Sequence, residues 1–139
     1  MIPKFRAWDK RKNVMRDVAV LHFTKNGKTN FIEYWINPTE LKSYHVRNID
    51  LMQSTGLIDR NGVEIFDGDV VQAEQYLTTT IPVRINGIVK YSNKYTMFYL
   101  DNGSERHDLY MQSLGGSIYN FEIIGNIYEN PELLKEEQR

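Results

Sequence analysis

Leu51-Met-Gln-Ser-Thr-Gly56-Leu-Ile-Asp59-Arg-Asn61-Gly62-Val-Glu64-Ile-Phe66-Asp67-Gly68-Asp69-Val-Val-Gln72 is the stretch whose reading decides the fold. It begins as an apolar strand, bends sharply at Asp59 to Gly62, gives a second short strand, and turns a Gly-Asp corner into a third. Asp59 puts a side chain that can bond nearby backbone ahead of Asn61-Gly62, the residue pair suited to a tight bend. Gly56 and Gly68 interrupt strand-like runs, where the missing β-carbon permits a bulge or a positive φ. Val70 and Val71 then open a strand reaching about Gln75.

The same grammar extends in both directions. Phe5 and Ala7 alternate with Lys4, Arg6 and Trp8 at strand spacing, Asp9 to Asn13 is turn-like, and Val14 to Phe23 can fold back as a further strand. Lys25-Asn26-Gly27-Lys28 is a hairpin signal, with Asn-Gly expected to supply the two positive φ values of a type I′ turn. Phe31, Glu33 and Trp35 then share one face of a strand, with Ile32, Tyr34 and Ile36 on the other. Asn37-Pro38-Thr39-Glu40-Leu41 has the cap-then-proline order of a helix start, so a single helical turn is expected there. Residues 24–48 read as a variable insertion between firmer elements.

Downstream, 76–80 is a polar loop, after which Ile81, Val83 and Ile85 resume the alternation, with Gly87 a candidate bulge. Ser92 to Lys94 is a turn, and Tyr95 to Leu100 is apolar on both faces and therefore expected to be central. Residues 104–117 are mixed, anchored by Leu109, Met111 and Leu114 and broken at Gly115-Gly116. Phe121, Ile123 and Ile127 share a face of the last strand, and Asn130-Pro131-Glu132 opens a short helical tail at about 131–139. Short strands at close spacing, joined by Gly, Asn and Asp turns, point to a mainly β fold. The expected form is antiparallel hairpins in a small SH3-like or partly open barrel, with one or two short helical turns, in a single domain over 1–139.

Composition bounds the function. The 139 residues are 41% apolar and 25% charged, near globular values, and 17 basic against 18 acidic side chains leave a net charge of -1. That balance argues against a broad electrostatic footprint for DNA or RNA. With no cysteine, disulfides and thiolate chemistry are excluded. The N-terminal residues hold no apolar run of a secretory signal, and no stretch approaches the ~20 apolar residues of a membrane span. A cytoplasmic protein with no membrane association is the expectation.

Among groups that could do chemistry, Asp67 and Asp69 are two apart and would share a face of a regular strand, with Asp59 and Glu64 nearby. Such a set could serve acid–base work or hold Mg²⁺. The competing reading, turn chemistry at a glycine corner, is preferred. A calcium loop over Asp59 to Glu64 fails, because its glycine stands fourth where the EF-hand requires it sixth. His22, His45 and His107 are isolated, without a second nitrogen ligand at helical spacing. No nucleophile elbow, phosphate-cradling loop or dinucleotide fingerprint occurs. No catalytic, cofactor-binding or metal residue is therefore assigned, no cofactor is expected, and a non-enzymatic role is favoured.

One alternative surface remains. Lys4, Arg6, Lys10, Arg11 and Lys12 crowd the N-terminus, while Lys90, Tyr91, Lys94, Tyr95 and Tyr99 interleave charge with aromatic rings. Together they are the candidate nucleic-acid contacts, able to track phosphates and stack bases. The plainer reading is a solvated hairpin tip with charges protecting strand edges, and tyrosines packed at a rim.

Three blocks carry a family resemblance: Pro3-Lys-Phe-Arg-Ala-Trp-Asp9 with Val14-Met15, then Leu51 through Val71, and finally Phe121-Glu-Ile-Ile-Gly-Asn-Ile-Tyr-Glu-Asn-Pro-Glu-Leu-Leu134. In these the chain resembles the YopX family of phage and prophage proteins. The resemblance implies a β-rich fold and an origin in bacteriophages or prophages. It implies no established activity, so it supplies no functional residues. The expectation is an accessory protein acting through a phage or host protein partner or as a homo-oligomer, with nucleic-acid binding as the alternative.

Overall fold

The computed structural model describes residues 4–75, 83–103, 112–113 and 118–137. The expected loop at 76–80, the expectation for Ile81, the anchors Leu109, Met111 and Leu114, and the Gly115-Gly116 break lie outside the described residues. The chain forms two compact units, Met1–Ser54 and Thr55–Arg139.

In the first unit, β1 (Phe5–Asp9), β2 (Val14–Phe23), β3 (Thr29–Asn37) and β4 (Glu40–His45) lead to a 3-10 turn at Val46–Asn48 and then into β5 (Ile49–Ile58). All pairings are antiparallel in the order β4-β3-β2-β1-β5. Ala7 stands mid-sheet, opposite Arg16 on one side and Leu51 on the other. Ala7, Ile32, Tyr34 and Ile49 are buried together, with Val18, Leu21, Tyr44, Val46 and Leu51 packed around them. Ile32 and Tyr34 thus take the inner face of β3 and leave Phe31, Glu33 and Trp35 on the outer one, as the alternation required.

Two local expectations are corrected here. The Lys25 to Lys28 bend is not type I′: only Gly27 has a positive φ (+84°), and its N–H donates to Thr24 O at 2.9 Å. A three-residue loop has formed instead, closed by Thr24, whose N–H donates to Lys28 O and whose Oγ1 accepts from Lys28 N. Nor is Asn37 to Leu41 a helix start. Asn37 Oδ1 accepts from Thr39 N and Thr39 Oγ1 at 2.9 and 3.1 Å, an Asx turn that reverses the chain directly from β3 into β4. An asparagine that can cap a helix can equally cap a turn. The helical turn falls later, at Val46–Asn48, where His45 Nδ1 accepts from Arg47 N. Residues 24–48 therefore hold β3, β4 and this turn.

The second unit opens with the last residues of β5 beside β6 (Glu64–Phe66), followed by β7 (Asp69–Gln75), β8 (Val83–Ser92), β9 (Met97–Asp101), β10 (Gln112–Ser113) and β11 (Ile118–Asn126). An antiparallel sheet runs β10-β9-β8-β7-β11, and α1 (Glu132–Glu137) follows. Ile65, Val71, Ala73, Val89, Leu100 and Phe121 form the core, with Leu57, Ile85, Phe98 and Ile123 packed on it. The fold is mainly antiparallel β with short helical pieces, as the sequence indicated; its sheets are open, and no closed barrel forms among the described residues.

The strand expected from Tyr95 begins only at Met97, because Asn93 to Thr96 make the turn, with Thr96 at φ +49° and Tyr95 N donating to Ser92 Oγ. β9 is central as expected, between β10 and β8. Gly87 marks no bulge, since β7 and β8 keep register through Val71↔Gly87. It marks a close approach: a β-carbon there would lie 2.6 Å from Asp101 O and 2.7 Å from Leu100 Cγ.

Candidate functional site

Two of the carboxylates that could have done chemistry, Asp59 and Asp69, are occupied by backbone. Asp59, 5% exposed, closes the β5–β6 turn, with Oδ1 accepting from Asn61 N and Val63 N at 2.9 Å and Oδ2 accepting from Ile123 N on β11 at 3.1 Å. Burial alone would push this carboxyl up, but the N–H groups of Val63, Ile123 and Asn61 and the charge of Arg60 outweigh it and hold Asp59 below the ordinary aspartate value. Asp69 is buried and its Oδ2 accepts from Phe66 N at 2.8 Å, so the Asp67-Gly68 corner is fastened from its far side. Gly68 itself, at φ +87°, donates to Val89 O and accepts from Ile127 N. Asp67 is half-buried. Among the described residues no group of three His, Asp or Glu is arranged to hold a metal ion.

The first unit contains a matching node at Asp9, 1% exposed. Oδ1 accepts from Arg11 N, Lys12 N and the Tyr44 hydroxyl at 3.0–3.1 Å, and Oδ2 faces Arg16 Nη2 at 3.4 Å. Burial again opposes ionisation, and the N–H of Lys12, the Tyr44 hydroxyl, the N–H of Arg11 and the Arg16 guanidinium overcome it, so the carboxyl lies below its ordinary value. Tyr44 shifts the opposite way, raised by burial and by its bond to the Asp9 carboxylate. Arg16 also lies over the Tyr34 ring, 4.8 Å from its centroid.

The candidate nucleic-acid contacts fall into separate groups. Lys4 precedes β1, Arg6 lies on it, and Lys10, Arg11 and Lys12 lie in the bend after it. Of these, Arg6 Nε donates to Met52 Sδ and Lys10 Nζ faces Asp50 Oδ1 at 3.5 Å, while Arg11 and Lys12 are exposed. In the second unit, Lys90 and Tyr99 are opposed on β8 and β9, and so are Tyr91 and Phe98. Consecutive strand residues face opposite ways, so Lys90 and Tyr99 share one face and Tyr91 lies on the other. Lys90 Nζ meets Asp101 Oδ2 at 2.5 Å, Tyr99 is 8% exposed, and Tyr91 is set edge-on against Phe98. Lys94 and Tyr95 sit together in the exposed β8–β9 turn, with the ammonium 5.2 Å from the ring centroid. A cavity of about 300 Å³ borders Asp67, Ile88, Lys90, Tyr91, Tyr99 and Ile127.

A different surface escaped sequence reasoning. Trp35 and Leu41 are directly opposed on β3 and β4, and both are solvent-exposed, at 45% and 41%. Ile36 is exposed to the same degree as Trp35. An open cavity of about 500 Å³ at this hairpin end is lined by Asp17, Trp35, Ile36, Asn37 and Pro38. β4 ends its sheet, with no strand on its outer side among the described residues. No strand-period signal marks β4, whose Leu41 and Tyr44 are three residues apart, and the helix-start reading of Asn37-Pro38 concealed it further.

Comparison with known proteins adds family and fold. The family model described as YopX protein matches residues 4–135. No curated protein matches. The crystal structure of protein EF1440 from Enterococcus faecalis is similar, with 27% identity and a TM-score of 0.62 over 96% of this chain and 99% of that one.

Proposed function

This chain belongs to the YopX family, and from that premise we propose that it is a phage accessory protein that acts through protein–protein contact or self-assembly and carries out no reaction. The observation behind this reading is the β3–β4 hairpin end, where Trp35, Ile36 and Leu41 are all exposed on a strand pair that ends its sheet. An exposed edge strand offers unpaired N–H and C=O groups to another chain, and apolar side chains beside it supply the buried area that such pairing needs. The occupied carboxylates support the same reading, because Asp9, Asp59 and Asp69 already accept hydrogen bonds that hold turns and corners in place.

A photocrosslinking amino acid placed at Leu41 in bacteria expressing the chain tests the reading. A discrete protein adduct is expected at Leu41 and none at Lys25, which is exposed in the neighbouring β2–β3 turn. Absence of any adduct at Leu41 would overturn it.

A further inference from the structure

We propose that the occupant of the β4 edge is β4 of a second copy of this chain, paired antiparallel with Leu41 opposite Leu41 on a two-fold axis. The proposal rests on the contact reading above and names the contact. A two-fold axis relating two edge strands of one continuous sheet is normal to that sheet, so every residue keeps its face and one residue must lie opposite itself. Four residues of Glu40-Leu41-Lys42-Ser43-Tyr44-His45 could take that central place with at least three residues of the strand paired: Leu41, Lys42, Ser43 or Tyr44.

The charges discriminate between them. With Lys42 at the centre, two ammonium groups are directly opposed, which is destabilising. With Ser43 at the centre, Lys42 faces Tyr44, whose hydroxyl is already bonded to Asp9, and Leu41 faces His45, so no apolar pair forms. With Tyr44 at the centre, Ser43 faces His45 and Leu41 falls outside the paired residues, so neither an apolar nor an opposite-charge pair forms. With Leu41 at the centre, Glu40 faces the second copy's Lys42 and Lys42 faces its Glu40, giving two opposite-charge pairs on one face. On the other face, Trp35 lies across from Leu41 within each copy. The four side chains then form one apolar stripe, Trp35–Leu41–Leu41–Trp35, across the joined sheets. Glu40, Leu41 and Lys42 are all exposed in the single chain, so each can make these contacts. The alternation Glu-Leu-Lys is complementary to itself in this register.

Size-exclusion chromatography with light scattering is expected to show, at high protein concentration, a species of twice the 16.4 kDa chain mass. Lys42→Glu sets glutamate opposite glutamate twice and is expected to weaken the association by about tenfold or more. Adding Glu40→Lys to that variant reverses both pairs and is expected to restore the dimer, with far-UV circular dichroism showing that both variants fold. A single-chain mass at every concentration overturns the proposal, as does a dimer that neither change affects. In the Leu41 crosslinking experiment, an adduct of doubled chain mass supports the second copy. An adduct with another protein overturns it while leaving the contact reading intact, and no adduct overturns both.

Discussion

Removing the Asp59 side chain asks how much of the second unit depends on one carboxylate. Asp59→Ala leaves three backbone donors without their acceptor: Asn61 N, Val63 N and Ile123 N. Asn61 and Val63 are exposed in the turn, so water replaces the lost bonds and each costs only about 0.5–1 kcal/mol. Ile123 is different. It is half-buried on β11 and packed on the core, and leaving such a donor without a partner costs about 1–3 kcal/mol. The total is about 2–5 kcal/mol, a large share of a small unit's stability. Asp59→Asn keeps one acceptor oxygen, turns a donor toward one of these N–H groups, and is expected to fall between wild type and Asp59→Ala.

The assay has to be chosen for the unit. Both tryptophans, Trp8 and Trp35, lie within Met1–Ser54, so indole fluorescence reports on the wrong part of the chain. Amide hydrogen exchange of β7 and β11 is the direct measurement, and a loss of about 3 kcal/mol appears there as exchange roughly a hundredfold faster. Because folding holds the Asp59 carboxyl below its unfolded value, unfolding takes up a proton in acid. The stabilisation is full above the unfolded value near ~4 and is lost as pH falls through the lower folded value. Asp59→Asn should therefore flatten the acid limb of the exchange-derived stability curve. Exchange within a fewfold of wild type for Asp59→Ala would refute the reasoning, since it would mean that the Ile123 amide finds another acceptor at no cost.

Asp9→Asn should act in the first unit in the same direction, costing about 1–3 kcal/mol through its lost charge-assisted bonds. The carboxyl is again held below its ordinary value, so the stabilisation is present above the unfolded pKa and lost as pH falls through the folded one; urea titrations at several pH values, followed by Trp8 fluorescence, are expected to lose their acid slope. Gly87→Ala places a methyl group 2.6 Å from Asp101 O and 2.7 Å from Leu100 Cγ, and pushing β9 away should cost about 1–3 kcal/mol. A thermal melt unchanged from wild type would show that the β8–β9 pair shifts freely.

Where apolar period and glycine agreed, the fold was legible. The Asp59 turn, the Gly68 corner and the inner face of β3 follow directly from the sequence, because each is marked by residue types within a few positions of one another. The misread positions are those where one local signal serves two structures. Asn37-Pro38 reads equally as a cap before a helix or as an Asx turn, and only the pairing of Trp35 with Leu41 decides between them. Asn26-Gly27 supplies one positive φ or two according to how Thr24 and Lys28 close the loop. Gly87 reads as a bulge until the neighbouring strand is known to press on it. Tertiary pairs of this kind carry no mark in a single sequence, and the exposed hairpin end was hidden for the same reason.

Asp9 and Asp59 also explain a feature that composition made conspicuous. In both units an aspartate at or just beyond a strand end gives Oδ1 to two N–H groups of the following turn and Oδ2 to a group beyond it: Arg11, Lys12 and Arg16 in one case, Asn61, Val63 and Ile123 in the other. The turn uses the backbones of Arg11 and Lys12 and leaves their side chains exposed. A bend that requires only main-chain donors places no demand on side-chain chemistry beyond solubility, and long cations meet that demand while discouraging edge-to-edge association. The exposed charges of Arg11 and Lys12 are thus compatible with how the β1–β2 bend is fastened. On the same principle β4 stands out. Its charges alternate in sign around an exposed leucine, and only a register centred on that leucine sets opposite charges against each other.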